Sequence, residues 1–212
     1  MIGIIDYGMG NLRSVQKAFE LLGAGAVVLG EPNRMDRLDR LVLPGVGAFA
    51  DGMEHLRQRG WISAIKTFID TGRPFLGICL GMQLLFDGSQ EDAPSSDELV
   101  PGLAVFQGPV VRFQCDRTEA RLKVPHMGWN TLRWDRSDPL LAGLEQDAAV
   151  YFVHSYYAKP VDHDQPVQSA ACDYGGPFCA SVWKDNIWAT QFHPEKSQKV
   201  GLKMLANFAA VD

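Results

Sequence analysis

Arg73-Pro-Phe-Leu-Gly-Ile-Cys79-Leu-Gly-Met-Gln-Leu-Leu-Phe86 decides the fold class. Its first half, Arg73 to Cys79, is an apolar run of the kind found in strands buried on both faces of a parallel sheet. Its second half, Leu80 to Phe86, reads as a helix that follows with no loop between them. The same alternation extends upstream. Ile2 to Asp6 reads as a strand, followed by a helix with Val15, Ala18, Phe19 and Leu22 on one face and Gly23 and Gly25 at its end. Ala26 to Leu29 and Asp39 to Leu43 read as strands. Helical periodicity then covers residues 49–70, with a break at Gly60-Trp61. Strand–helix alternation of this kind implies right-handed crossovers and a parallel sheet.

Downstream the pattern changes. Residues 87–102 are polar and bounded by Pro and Gly, so they read as a long surface loop, after which the same sheet is expected to resume. Val110 to Phe113, Tyr151 to Tyr157, Ser169 to Tyr174, Ala180 to Lys184 and Ile187 to Phe192 read as antiparallel strands, with a hairpin turn at Trp183–Ile187. Lys196 to Ala210 reads as a closing helix with Val200, Met204, Leu205 and Phe208 on its apolar face. The expected fold is therefore α/β: one domain over residues 1–212, an open mixed sheet with a parallel centre, helices on both faces and an antiparallel C-terminal portion.

A chain of 212 residues with 46% hydrophobic and 21% charged residues has the composition of a globular protein and can bury a full core. Its net charge of −5, with no basic cluster, argues against nucleic-acid binding. No apolar stretch approaches the length of a membrane helix. The start, Met1-Ile-Gly-Ile-Ile-Asp6, lacks the basic opening of a signal peptide. The cysteines at 79, 115, 172 and 179 form no CxxC pair and no metal-ligand spacing, which fits free thiols in a reducing cytoplasm. No role is assigned to Cys115, Cys172 or Cys179.

Gly77-Ile78-Cys79-Leu80-Gly81 has the form G-x-C-x-G between strand and helix, the cysteine counterpart of a nucleophile elbow. The sharp turn pushes the central side chain out of the sheet, and the glycines make room for it. A helix N-terminus directed at the sulfur would favour thiolate. The Leu80 N–H would face a developing oxyanion. The alternative for Cys79 is a small buried hydrophobe. A thiolate nucleophile needs a base and the base needs an orienter. His193 follows an apolar strand and has Glu195 two residues on, on the same side if the segment is extended. Pro44-Gly45-Val46-Gly47 ends another strand and is placed for a second oxyanion donor at the carboxyl edge of the sheet; its alternative is a plain turn.

Gly77-Ile-Cys-Leu-Gly-Met-Gln83 together with Phe192-His-Pro-Glu195 resembles the class I glutamine amidotransferases, which hydrolyse the side-chain amide of glutamine and deliver ammonia to a synthase. Asp6-Tyr-Gly-Met-Gly-Asn-Leu12, Pro44-Gly-Val-Gly47, Pro125-His-Met-Gly-Trp-Asn130, Tyr151-Phe-Val-His-Ser-Tyr156 and His193-Pro-Glu-Lys-Ser197 narrow the likeness. Together they look like the glutaminase subunits of imidazole glycerol phosphate synthases, over nearly the whole chain.

The resemblance implies a nucleophile at Cys79, a proton relay at His193 and an orienter at Glu195. It implies an oxyanion hole from Leu80, Val46 and Gly47, and glutamine contacts at Gly45, Gly47, Gln83, Ser155 and Tyr156. No cofactor or metal is implied. The implied partner is a (β/α)₈ cyclase subunit that receives ammonia through its barrel. Asn11, Arg13, Trp129, Tyr151 and Lys196 are the candidate interface residues of that heterodimer, and His154 has no assigned role. The rival readings are a stand-alone cysteine hydrolase of the same fold, a regulatory subunit without chemistry, and a paralogue serving another synthase.

Overall fold

The computed structural model describes residues 1–95, 98–114, 122–161 and 167–211. The first half runs β1 (Ile2–Ile5), α1 (Leu12–Leu21), β2 (Ala26–Leu29), β3 (Arg40–Gly45), α2 (Phe49–Gln58), α3 (Trp61–Asp70), β4 (Phe75–Cys79) and α4 (Leu80–Gln83). The second half runs β5 (Phe86–Ser89), β6 (Val100–Pro101), β7 (Phe106–Arg112), β8 (His126–Thr131), β9 (Ala149–His154) and β10 (Tyr156–Ala158). It closes with β11 (Gln168–Asp173), β12 (Pro177–Lys184), β13 (Ile187–Thr190) and α5 (Gln198–Ala210).

The main sheet has the order β11-β12-β13-β4-β3-β1-β2. The five strands from β13 to β2 are parallel, and β12 and β11 continue the sheet antiparallel. Alternation along the strands divides the core in two. Ile2, Ile4, Val42, Leu76 and Ile78 pack with Val15 and Phe19 of α1 and Met204, Leu205 and Phe208 of α5. Leu41, Leu43 and Phe75 pack with Phe49, Leu56, Trp61, Ile65 and Phe68 of α2 and α3. Each fully buried side chain of this size contributes roughly 1.5–3 kcal/mol. This is the expected α/β sheet with helices on both faces. The five parallel strands all end at one carboxyl edge.

At the opposite, amino edge, the Met1 ammonium pairs with Asp39. The Arg40 guanidinium donates to the Phe208 carbonyl at 3.0 Å and also to the Val211 carbonyl, fastening the end of α5 to the start of β3.

Three expectations are corrected. The helix expected over Leu80–Phe86 is the single turn α4, and Phe86 already begins β5. Its continuation is blocked because the carbonyls of Leu84, Leu85 and Phe86 accept N–H groups from residues 103–106. The loop after β5 does not return to the main sheet. It leads into a separate four-stranded sheet, β10-β7-β5-β6, in which β5 and β7 are parallel. The strand expected over Tyr151–Tyr157 breaks at Ser155. Before the break β9 pairs with β8, a strand the periodicity does not announce, and after it β10 pairs with β7.

Candidate active site

Cys79 is the last residue of β4, and its φ of 55° and ψ of −110° are strained for a residue with a side chain. Close packing around it holds that conformation. A Cβ at Gly77 would lie 2.8 Å from the Gly81 carbonyl oxygen, and one at Gly81 would lie 1.9 Å from the Leu43 oxygen. Both glycines of the G-x-C-x-G pattern are therefore required by close approach of backbone to backbone. The expected helix dipole is a lesser influence here, because α4 is only four residues long. The strong electrostatic partner comes from elsewhere.

That partner is His193. Strands β13 and β4 are parallel neighbours with Thr190 opposite Ile78, so the residues after β13 arrive beside Cys79. The Nδ1–H of His193 donates to Glu195 Oε1 at 2.8 Å, and both side chains are buried. The pair is formed across a 3₁₀ turn, Pro194–Lys196, rather than along the extended segment the spacing suggests. Burial by itself would drive the imidazole towards neutrality. Hydrogen bonding and charge from Cys79 and Glu195 outweigh it and push the pKa up to about 10. His193 Nε2 is buried and, among the described residues, has no hydrogen-bond partner. Ser197 fixes this turn, donating to the His193 carbonyl at 2.6 Å and accepting from the Tyr151 N–H at 3.0 Å.

Cys79 opens into a cavity of about 300 Å³. Val46, Gly47, Leu80, Gln83, Ser155 and Tyr156, all singled out in the sequence, line it. Gly47 has a φ of 103°. Gly45 does not line the cavity. It pairs with Cys79 in the sheet, where a Cβ would sit 2.4 Å from the Tyr7 hydroxyl and 2.9 Å from Leu80 Cβ. Its smallness serves the packing behind Cys79. The Gln83 amide is largely committed. Its Nε2 donates to the Tyr156 carbonyl at 2.8 Å and to Gln191 Oε1 at 3.0 Å, which leaves the carbonyl oxygen for a ligand.

Five further residues belong to the site. Glu91 lines the cavity, and its Oε2 caps α2 by accepting the Phe49 N–H at 2.8 Å. Half-burial raises its pKa. Gln191 is fully buried and directs Nε2 at Cys79 Sγ, 3.8 Å away. Pro125, Val153 and His154 complete the wall. An amide side chain within the largely apolar run Ile187–Phe192 was a readable sign for Gln191. Glu91 is one acid among several in a polar loop and carries no sign of its own. Among the described residues, no three His, Cys, Asp or Glu side chains are grouped to hold a metal ion. Cys172 and Cys179 are buried, burial pushing the Cys172 thiol up to about 12. Cys115 lies outside the described residues.

The candidate interface residues form a surface beside the triad. Trp129 and Tyr151 are cross-strand partners with ring centroids 6.1 Å apart, and Lys196 Nζ lies 6.0 Å from the Tyr151 ring. Trp129 is 48% exposed and Met127 is 63% exposed, on the same strand. Asn11 stands at the start of α1, with exposed Arg13 in its first turn.

The glutamine amidotransferase class-I family model matches residues 3–211. The chain belongs to the class-I glutamine amidotransferases. Within the family it groups with proteins named imidazole glycerol phosphate synthase subunit HisH. It is 54% identical to the one from Syntrophotalea carbinolica over 98% of each chain. It is 55% identical to the one from Geobacter sulfurreducens, over 98% of this chain and 97% of that one. Solved structures share the amidotransferase fold at low identity. One is PurLQS from Thermotoga maritima, with a TM-score of 0.74 and 17% identity over 98% of this chain and 96% of that one. Another is described as a glutamine amidotransferase, with a TM-score of 0.72 and 19% identity over 99% of both.

Proposed function

We propose that this amidotransferase, as one domain over residues 1–212, is the glutaminase subunit of an imidazole glycerol phosphate synthase. The observation that carries the chemistry is the buried His193–Glu195 pair beside Cys79, which opens into a cavity large enough to hold an amino acid. The Cys79 thiolate attacks the side-chain carboxamide carbon of glutamine. The Leu80 N–H and the Val46–Gly47 peptide stabilise the oxyanion. His193, held protonated by Glu195 and the thiolate, gives its proton to the departing nitrogen, and ammonia leaves. Water then attacks the thioester as His193 takes a proton from it. Glutamate is released and the thiolate is regenerated. At the other end of the substrate, the Gln83 carbonyl oxygen and the Glu91 carboxylate suit the α-ammonium group. Ser155 and Tyr156 border the same region.

The Trp129–Tyr151–Lys196 surface, with Asn11 and Arg13, supports docking on a (β/α)₈ cyclase subunit. That subunit would use the ammonia to form imidazole glycerol phosphate and an aminoimidazole carboxamide ribotide, in the cytoplasm and in histidine biosynthesis. Among the described residues, no helix is long and apolar enough to cross a membrane. Glutamate release from glutamine, measured for the chain alone and with the liganded cyclase, tests the reading. Strong stimulation is expected. Equal rates in both would remove the cyclase from the proposal, and no hydrolysis in either would remove the glutaminase.

A further inference from the structure

Two buried histidines lie outside the triad. His126 of β8 and His154 of β9 are cross-strand partners, 3% and 6% exposed, inside a cluster of aromatic rings. His126 stacks on Tyr174 and Phe152, with ring centroids at 4.0 and 4.7 Å, and His154 packs against Phe113 and Phe178. Their hydrogen bonds have one consistent direction. His154 Nδ1 lies 2.9 Å from the Tyr156 carbonyl oxygen, which can only accept, so Nδ1 carries the proton. In a neutral ring Nε2 then accepts. His126 Nδ1, 3.1 Å away, must be its donor. His126 Nε2 is left as acceptor for the Asn130 amide at 3.3 Å.

Backbone groups fix that amide independently. Asn130 Nδ2 donates to the Asp173 carbonyl at 2.8 Å, and Oδ1 accepts the Thr131 N–H at 2.8 Å. The two ends of the chain therefore demand the same tautomers. Burial holds both rings neutral, with pKa values lowered to about 4 for His126 and about 3 for His154. At the Tyr156 carbonyl the chain meets Gln83, which continues through Gln191 to Cys79.

We propose that His126 and His154 are positioning residues, neutral imidazoles carrying a one-way hydrogen-bond chain from strand β8 to the Tyr156 carbonyl. Their work is to hold the Ser155–Tyr156 bend, and through it Gln83, in register with Cys79. The role rests on the glutaminase reading above. The partner-side strand that carries Trp129 and the wall that receives the amino-acid end of the substrate are thereby joined by donors and acceptors as well as by ring packing.

Two measurements test this. In ¹⁵N-histidine NMR of the intact protein at pH 7, both rings are expected as neutral Nδ1–H tautomers, the form disfavoured in free histidine. An Nε2–H tautomer or an imidazolium at either position overturns the chain, whatever the protein catalyses. In glutamine hydrolysis by the complex with the liganded cyclase, His154→Phe keeps the ring and removes the donor. It is expected to raise KM roughly five- to tenfold with kcat within about twofold, the scale of one buried hydrogen bond. His154→Asn removes the ring but restores a donor where Nδ1 stood, and KM is expected to return to within about twofold of wild type. Ring packing alone predicts the reverse order, and that order overturns the role. A wild type active on glutamine beside an unaltered His154→Phe variant overturns this inference only. A wild type inactive on glutamine with a competent cyclase overturns the glutaminase reading and the role built on it.

Discussion

The two sides of the cavity are built differently. The reacting side hangs from the main sheet: Cys79 ends β4, His193 follows β13, and those strands are parallel neighbours locked in register. The binding side is assembled from pieces outside that sheet. Ser155 lies between two small sheets, Tyr156 begins β10, and Glu91 projects from the connection between β5 and β6. Strained geometry sits on the rigid side, where neighbouring backbone leaves no alternative. Pairing in the smaller sheets and side-chain hydrogen bonds together fix the other side. The reaction demands reproducible sub-ångström placement, whereas the amino-acid end of a substrate needs only donors and acceptors of the right kind.

Removing the nucleophile should have the largest effect. Cys79→Ala is expected to lower glutamine-dependent turnover by roughly 10⁴-fold or more, while synthesis from added ammonium salts stays intact. Loss of both activities in a folded complex would show that the two sides are not separable. Glu195→Gln should cost about 10²- to 10⁴-fold in kcat with little change in KM for glutamine, marking it as part of the reacting side. The same variant has a stability signature. The folded-state pKa of His193 is raised, so its contribution is complete below the ordinary histidine range and lost as pH climbs towards about 10. The wild-type melting temperature should fall over that interval, and the fall should be shallower in Glu195→Gln.

Gly81→Ala tests rigidity directly. With the added Cβ 1.9 Å from the Leu43 oxygen, a destabilisation of roughly 3 kcal/mol or more is expected in denaturant unfolding. An unchanged midpoint would mean that the elbow is softer than its packing implies. The smallest effect is expected outside the cavity. Trp129→Ala should weaken cyclase binding by about 2 kcal/mol. Because Trp129 is 48% exposed, the stability of the isolated chain should change little.

The same contrast explains what could be read from the sequence. The parallel centre was legible because a strand buried on both faces is a continuous apolar run, as in Phe75 to Cys79. The triad was legible because each part carries a local pattern: glycines flanking Cys79, and Glu195 two positions after His193. The second-half layout was not. Phe86 follows Leu84 and Leu85 in an apolar run that suits a helix, and only the carbonyls claimed by residues 103–106 turn it into a strand. The break at Ser155 also arises from pairing with two distant partners, β8 and β7, and no local residue type signals it. Glu91 and the His126–His154 pair were missed for the same reason, since their surroundings come from segments far apart in the chain. The steric requirement at Gly45 was hidden for the same reason, since it is set by Tyr7 and Leu80.

The contacts of Met1 with Asp39 and of Arg40 with the end of α5 have a practical consequence. They gather the first residue and Val211 at the amino edge of the sheet, while Cys79 and the residues around it occupy the carboxyl edge. A tether, dye or fusion partner attached near either end would therefore project from the rear of the molecule. The protein could be fixed to a sensor surface with the mouth of its cavity and the Trp129 strand turned towards the solution, ready for a second protein to land.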